Sequence, residues 1–261
     1  MINKINKRCA ILAVAAVLTS CAVSPTGRTQ FIAMPDAQIN QMGLQAFSAL
    51  KKQKPINRNP QYNHLTHCIA DALVRNTGGK WEVVVFQDRS FNAFALPGNK
   101  IGVYSGLIEL VGGNQDQLAA VIGHEIGHVL AKHSNERASQ EMAVKQGMGI
   151  IQQTSLGQSP ATLGMLGLGA QYGVLMPFSR TQESEADQIG QEMMAKAGFD
   201  PRQSITLWQK MSQASQGREP AEFLSTHPAN ATRIQELQQH MPKAMQLYQQ
   251  AQAMGRRPHC R

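Results

Sequence analysis

The sequence predicts an α+β fold, mainly helical, with a small β-sheet and hairpin packed beside one central helix. Three observations carry this expectation. Apolar residues recur at helical spacing along much of the chain, and β-branched and aromatic runs cluster between residues 81 and 104. Pro97-Gly98-Asn99 interrupts those runs as a hairpin turn signal. Just beyond them, an apolar stretch at 117–123 leads into His124-Glu125-Ile126-Gly127-His128 on what should be one continuous helix.

The first residues read as a targeting segment and not as part of the fold. Lys4, Lys7 and Arg8 form a basic region, and residues 9–18 form an apolar one too short to span a membrane as a mature helix. Leu18-Thr19-Ser20-Cys21 is similar to the lipobox of bacterial lipoproteins, which implies cleavage after residue 20 and lipid on Cys21. The next residue is Ala22 and not Asp, which by the same resemblance implies delivery to the outer membrane, facing the periplasm. Residues 21–30 then read as a lipid-anchored tether, and 31–261 as a single domain large enough for one sizeable core.

Within that domain, Ile39, Met42, Ala46 and Leu50 give residues 36–52 helical spacing, with Asp36 as a cap. Residues 60–76 form a second helix ended by Gly78-Gly79, and 81–86, 91–96 and 100–104 form strands. Asn114 caps the central helix, with Gln117 in the capping-box position. Seven glycines among apolar residues at 147–173 fit either packed helices or a mobile flap. A helix at 180–197 stops at Gly198, Asp200-Pro201 opens another, and the Gln-rich C-terminus is helical.

Charge and cysteines narrow the setting. The formal net charge of +8 falls to +5 once Lys4, Lys7 and Arg8 leave with the signal. No basic run is interleaved with aromatics, which argues against a nucleic-acid partner. Cys9 leaves with the signal and Cys21 takes the lipid. Cys68 and Cys260 remain as an even pair in an oxidising compartment, where a disulfide is expected.

The chemistry centres on His124 and His128. Residues four apart on a helix sit about 40° apart around the axis, so both imidazoles project from one face and can share a metal ion. Glu125 can reach a water on the open side of that ion. Two neutral His and a neighbouring carboxylate base are the parts of a zinc hydrolase, with one Zn2+ per chain. A third protein ligand is required, and Glu183 supplies it. Asp187, four residues on, faces the same way and accepts the N–H of a ligand His. Glu185 lies about 200° round the wheel and points elsewhere. His64 and His67 read as helix surface, His133 as structural, and His240 and His259 as solvent-facing.

H-E-I-G-H followed by S-R-T-Q-E-S-E-A-D resembles the membrane-associated zinc metallopeptidases that include HtpX, BepA and LoiP. Asn92-Ala93-Phe94-Ala95-Leu96-Pro97-Gly98-Asn99-Lys100-Ile101 and Ser225-Thr226-His227-Pro228 with Arg233 extend the match over roughly residues 30 to 240. Similarity is greatest to the small LoiP-like lipoprotein members. The resemblance implies a zincin-type (gluzincin) metallopeptidase domain, with His124, His128 and Glu183 on zinc and Glu125 as base. It also implies a catalytic role for His227 as a transition-state donor. The strand holding Asn92, Ala93, Phe94 and Ala95 is a candidate cleft edge for an extended peptide. Protein substrates, such as misfolded envelope proteins, follow from the resemblance. A non-catalytic envelope chaperone or assembly lipoprotein, and a zinc amidase acting on peptidoglycan, stand as the competing readings.

Overall fold

The structure, a computed structural model, describes residues 21–75, 77–152, 178–214, 231–260 and the single residues Phe223 and His227. The targeting segment lies outside the described residues, as does most of the glycine-rich stretch at 147–173. In chain order the elements are β1 (Cys21–Val23), β2 (Thr29–Phe31), α1 (Asp36–Gln53), α2 (Pro60–Val74), β3 (Glu82–Phe86), β4 (Ala93–Leu96) and β5 (Lys100–Tyr104). There follow α3 (Ser105–Leu110), α4 (Gln115–Leu130), α5 (His133–Gln152), α6 (Arg180–Ala197), α7 (Gln203–Ala214) and α8 (Ala231–Ala253). Among the described residues, no helix is long and apolar enough to cross a membrane. The described residues fall into two compact units, one within 21–36 and 134–152, the other within 37–133 and 178–260.

In the first unit, the segment expected to be a tether forms an antiparallel pair, with Cys21 opposite Phe31. Side chains of α5 hold it. Arg28 donates twice to Glu136, at 2.7 and 2.8 Å. Ser139 Oγ accepts from the amides of Ala33 and Met34, at 2.8 and 3.1 Å. A bidentate guanidinium–carboxylate pair fixes orientation as well as distance, so the hairpin has a defined seat within this unit.

The second unit contains the main sheet, ordered β3-β5-β4, with β3 parallel and β4 antiparallel to β5. The β4–β5 turn needs left-handed backbone at Gly98 (φ 82°) and Asn99 (φ 61°), residue types that tolerate it. Phe47, Phe86, Phe94 and Tyr104 meet edge-on or stacked, with centroids 6.0–6.3 Å apart. Ile69, Val85, Ile101, Val103, Leu118, Ile122 and Ile126 form the solvent-free middle of the core. Asn114 caps α4 by accepting from Asp116 and Gln117 amides. The Gln117 side chain bonds Gln203 instead of returning to the cap, whereas Ser179 and Gln182 at the start of α6 make the complete reciprocal box. The Cys68 and Cys260 sulfurs lie at bonding distance, 1.99 Å, with Cα atoms 5.6 Å apart. Gln115 holds the same tail, donating to Pro258 O and accepting from Cys260 N.

One packing contact positions the site. Helices α4 and α6 approach backbone to backbone through Gly123 and Gly127 on one side and Ala186 and Gly190 on the other. A Cβ on Gly190 would lie 2.6 Å from His124 N and 2.8 Å from Gly123 C, and one on Gly127 would lie 2.9 Å from Ala186 O. These are backbone atoms that cannot swing aside. Gly190→Ala should therefore destabilise the protein by about 1–3 kcal/mol, although alanine is the better helix former. Chemical denaturation measures this; an unchanged or increased stability would contradict the close approach.

Candidate metal centre

Helix periodicity brings four ligand atoms together. His124 and His128 sit on α4, and Glu183 is in the first turn of α6, whose start is fixed by the Ser179 cap. The fourth, His227, lies beyond α7, and its amide donates to Phe223 O at 2.8 Å. One ligand atom from each residue lies within 4.8 Å of every other, and all four residues are buried. His124 Nε2 and His128 Nε2 are 3.1 Å apart, and each is 3.5 Å from a Glu183 oxygen. Corners of a tetrahedron around an ion bound at about 2.0–2.1 Å are about 3.3–3.4 Å apart. His227 Nδ1 lies beside these three, 3.3 Å from His124 Nε2 and 2.9 Å from Glu183 Oε1.

Proton placement agrees with a cation at the centre. His124 Nδ1 is 2.9 Å from Asp187 Oδ1. An ionised carboxylate can only accept, so Nδ1 carries the hydrogen and Nε2 turns a lone pair inward. Burial alone would raise the Asp187 carboxyl; the Arg233 guanidinium and His124 outweigh it and hold it below its usual range. Burial holds the His128 imidazole well below its ordinary value, which keeps it in the neutral form a metal needs. Glu183 is likewise low, because His128 and His227 outweigh its desolvation. Its Oε2 also lies 2.7 Å from Arg233 Nη1, a contact of opposite charges without the direction of a hydrogen bond. The donor set of imidazoles and a carboxylate, at this spacing, fits a metal ion.

Glu125 stands beside the cluster. Its Oε2 accepts from the Ala95 amide at 3.2 Å, while Oε1 is buried with no hydrogen bond and lies 3.6 Å from His227 Nε2. Burial, the largest effect, raises its carboxyl against the pull of His227 and His124. Just before β4, Asn92 O accepts from Tyr104 N at 3.0 Å, so Asn92 and Phe94 bond inward to β5. Alternation leaves the backbone groups of Ala93 and Ala95 on the outer edge. Phe94 points its ring into the aromatic cluster.

Three further side chains complete the surroundings; the sequence reads His133 as structural, Glu185 as pointing elsewhere and Arg233 as bracing the His227 loop or the site. Arg233 donates to both Asp187 oxygens, at 2.7 and 2.8 Å, and its guanidinium lies 3.8 Å from the Trp208 ring centroid. His133 is fully buried, with Nδ1 2.8 Å from His128 Nδ1 and Nε2 3.1 Å from Glu185 Oε2. Glu185 does point away from the four ligands, but into the interior and not into solvent. Removing Arg233 would leave Asp187 and Glu183 charged without their guanidinium. In metal-free protein Arg233→Leu should cost about 3–5 kcal/mol, read from urea midpoints; a loss under 1 kcal/mol would show the pairing to be dispensable.

Sequence comparisons agree with this geometry. The pattern of Peptidase family M48 matches residues 57–241, which include every member of the cluster. The chain is 39% identical over 166 residues to the mitochondrial metalloendopeptidase OMA1 of Schizosaccharomyces pombe, covering 63% of this chain and 48% of that protein. Against OMA1 of Saccharomyces cerevisiae it is 37% identical over 182 residues, covering 67% and 51%. It thus spans about half the length of these yeast relatives. With metalloprotease LoiP of Escherichia coli the identity is 30% over 262 residues, covering 91% of this chain and 97% of that protein. Matched over most of its length and carrying the buried metal-ligand cluster, the chain belongs to Peptidase family M48.

Proposed function

We propose that this chain is a zinc metalloendopeptidase, anchored at the outer membrane by lipid on Cys21 and cleaving proteins in the periplasm, misfolded envelope proteins among them. The observation that carries the reading is the set of buried His124, His128 and Glu183 donor atoms, all within 4.8 Å of one another, with an unbonded oxygen of Glu125 beside it. Membership of a peptidase family and the protease names of the relatives support the reaction class.

His124, His128 and Glu183 hold the ion, and Asp187 fixes the His124 tautomer. Zinc, when bound there, supplies Lewis acidity that brings the pKa of water to about 7 and polarises a carbonyl. The chain's own groups do the rest. Glu125 Oε1 takes the proton as water oxygen bonds to the scissile carbonyl carbon, and returns it to the amine as the C–N bond breaks. The Ala95 amide holds the other Glu125 oxygen in place. Desolvation strengthens Glu125 as a base. His227 supplies an N–H to the oxygen on which charge grows. An extended peptide pairs with the outer edge of β4 through Ala93 and the Ala95 carbonyl, using main-chain bonds and therefore loose sequence preference.

One panel of variants tests this on unfolded casein, with cell-wall fragments as the alternative substrate. Wild type should cleave casein and stop on chelation. Glu125→Gln should keep one zinc and lose nearly all turnover, whereas Glu183→Ala should lose the zinc. His227→Ala should keep zinc, with kcat lower by about 10²–10³ and KM little changed. Full zinc in Glu183→Ala would move the ligand elsewhere, and cleavage of cell wall but not casein would replace a peptidase with an amidase.

The anchor and the bridge are tested together by mass spectrometry of protein from the envelope. The mature N-terminus should be a lipidated Cys21, and non-reducing peptide maps should join Cys68 to Cys260. An unmodified N-terminus would remove the lipid, and two alkylated thiols would remove the bridge.

A further inference from the structure

We propose that His133 and Glu185 are positioning residues for the metal: with His128 they form a relay that keeps the His128 lone pair on the nitrogen facing the site. The inference rests on the reading of His128 as a metal ligand. A ligand imidazole must present a lone pair from one nitrogen and find an acceptor for the hydrogen on the other. For His124 that acceptor is Asp187. For His128 the nearest group to the other nitrogen is not a carboxylate but a second imidazole, His133 Nδ1 at 2.8 Å.

Such a contact holds a single hydrogen, and its direction decides whether His128 can bind. Glu185 sets the direction. Its Oε2 lies 3.1 Å from His133 Nε2 and, as a carboxylate, accepts. A neutral His133 therefore carries its one hydrogen on Nε2, and Nδ1 is left as an acceptor. His128 must then supply the hydrogen between the two Nδ1 atoms, so its Nε2 is a lone pair pointing at His124 Nε2 and Glu183. The three residues are 0–5% exposed, so no bulk water competes for these bonds.

The backbone is shaped to make this contact. Five residues along one helix would put His133 about 140° away from His128. Instead α4 ends at Leu130, and Lys132 turns left-handed at φ 54°, so His133 starts α5 beneath His128. Left-handed backbone is disfavoured at a residue other than glycine, because Cβ crowds the following carbonyl oxygen. The rings then meet at 4.9 Å between centroids and 71° between planes, an edge contact and not a stack.

The test measures zinc affinity by chelator competition, together with imidazole ¹⁵N spectra of zinc-loaded wild type. His133→Leu keeps the volume but offers no acceptor, and should bind zinc 10–100-fold more weakly. His133→Asn places an amide oxygen where Nδ1 stood and should recover affinity to within a few-fold of wild type, which a role in packing alone would not produce. The spectra should show His133 protonated on Nε2 and His128 on Nδ1. Wild-type affinity in His133→Leu, equal losses in Leu and Asn, or a hydrogen on His133 Nδ1 would each overturn the relay. If His133→Leu fails to fold, the wild-type spectra decide alone. A wild type that binds no zinc would sink the metal reading and the relay with it, an outcome separate from zinc bound equally by wild type and variants.

Discussion

Everything at the site depends on how closely two helix backbones approach. Gly123 and Gly127 form a row on α4 one residue before His124 and His128. On α6, Ala186 precedes Asp187 and Gly190 lies one turn further on. The small residues remove the side-chain layer that would normally separate packed helices by 8–10 Å. The ligand row of one helix then reaches the ligand row of the other without long, flexible side chains. Coordination distances tolerate only about ±0.2 Å, so a methyl group wedged between backbones would matter to the ion as much as to the fold. Glycine inside a helix costs roughly 0.5–1 kcal/mol each, and here the cost is offset by a geometry nothing bulkier allows.

Charge imposes a second constraint. Glu125, Glu183 and Asp187 are each at most 5% exposed and lie within one cluster. Arg233 is the guanidinium paired with two of them. Isolated buried carboxylates are costly, and one guanidinium neutralises only one. A divalent ion together with Arg233 would balance all three. The raised carboxyl of Glu125 and the depressed one of Glu183 follow from unequal surroundings. Glu183 faces imidazoles and Arg233, whereas one Glu125 oxygen faces no donor within hydrogen-bonding distance.

The parts of this arrangement that sequence could foretell are those set by helix periodicity. His124 with His128 and Glu183 with Asp187 are pairs four apart, and a pair four apart on any helix shares a face. The same logic sends Glu185 away from Glu183, but periodicity says nothing about what lies on that other side. His133 meets His128 only because Lys132 adopts a left-handed turn, and no residue type there announces it. Arg233 was visible as a neighbour of the His227 motif. Its two-oxygen grip on Asp187 depends on how α8 packs on α6, a long-range fact. The hairpin at residues 21–31 was missed for a related reason. Its strands are three residues each, and its seat is a bond from Arg28 to Glu136, 108 residues away.

The outer edge of β4 links recognition to chemistry. Ala95 offers its amide outward, and in the structure that amide is bonded to Glu125. A peptide strand added to the edge would seek the same outward groups. The peptide and the base thus meet at one N–H. In the proposed mode, a substrate that bonds Ala93 and leaves the Ala95 amide to Glu125 would keep the base oriented; one that takes that amide would free the carboxylate to turn. Register along β4 would then be selected by the state of the base, even though main-chain pairing reads no side chains. In the proposed mode of binding, fixing Glu125 by a strand amide would couple the placement of the substrate to the orientation of the base.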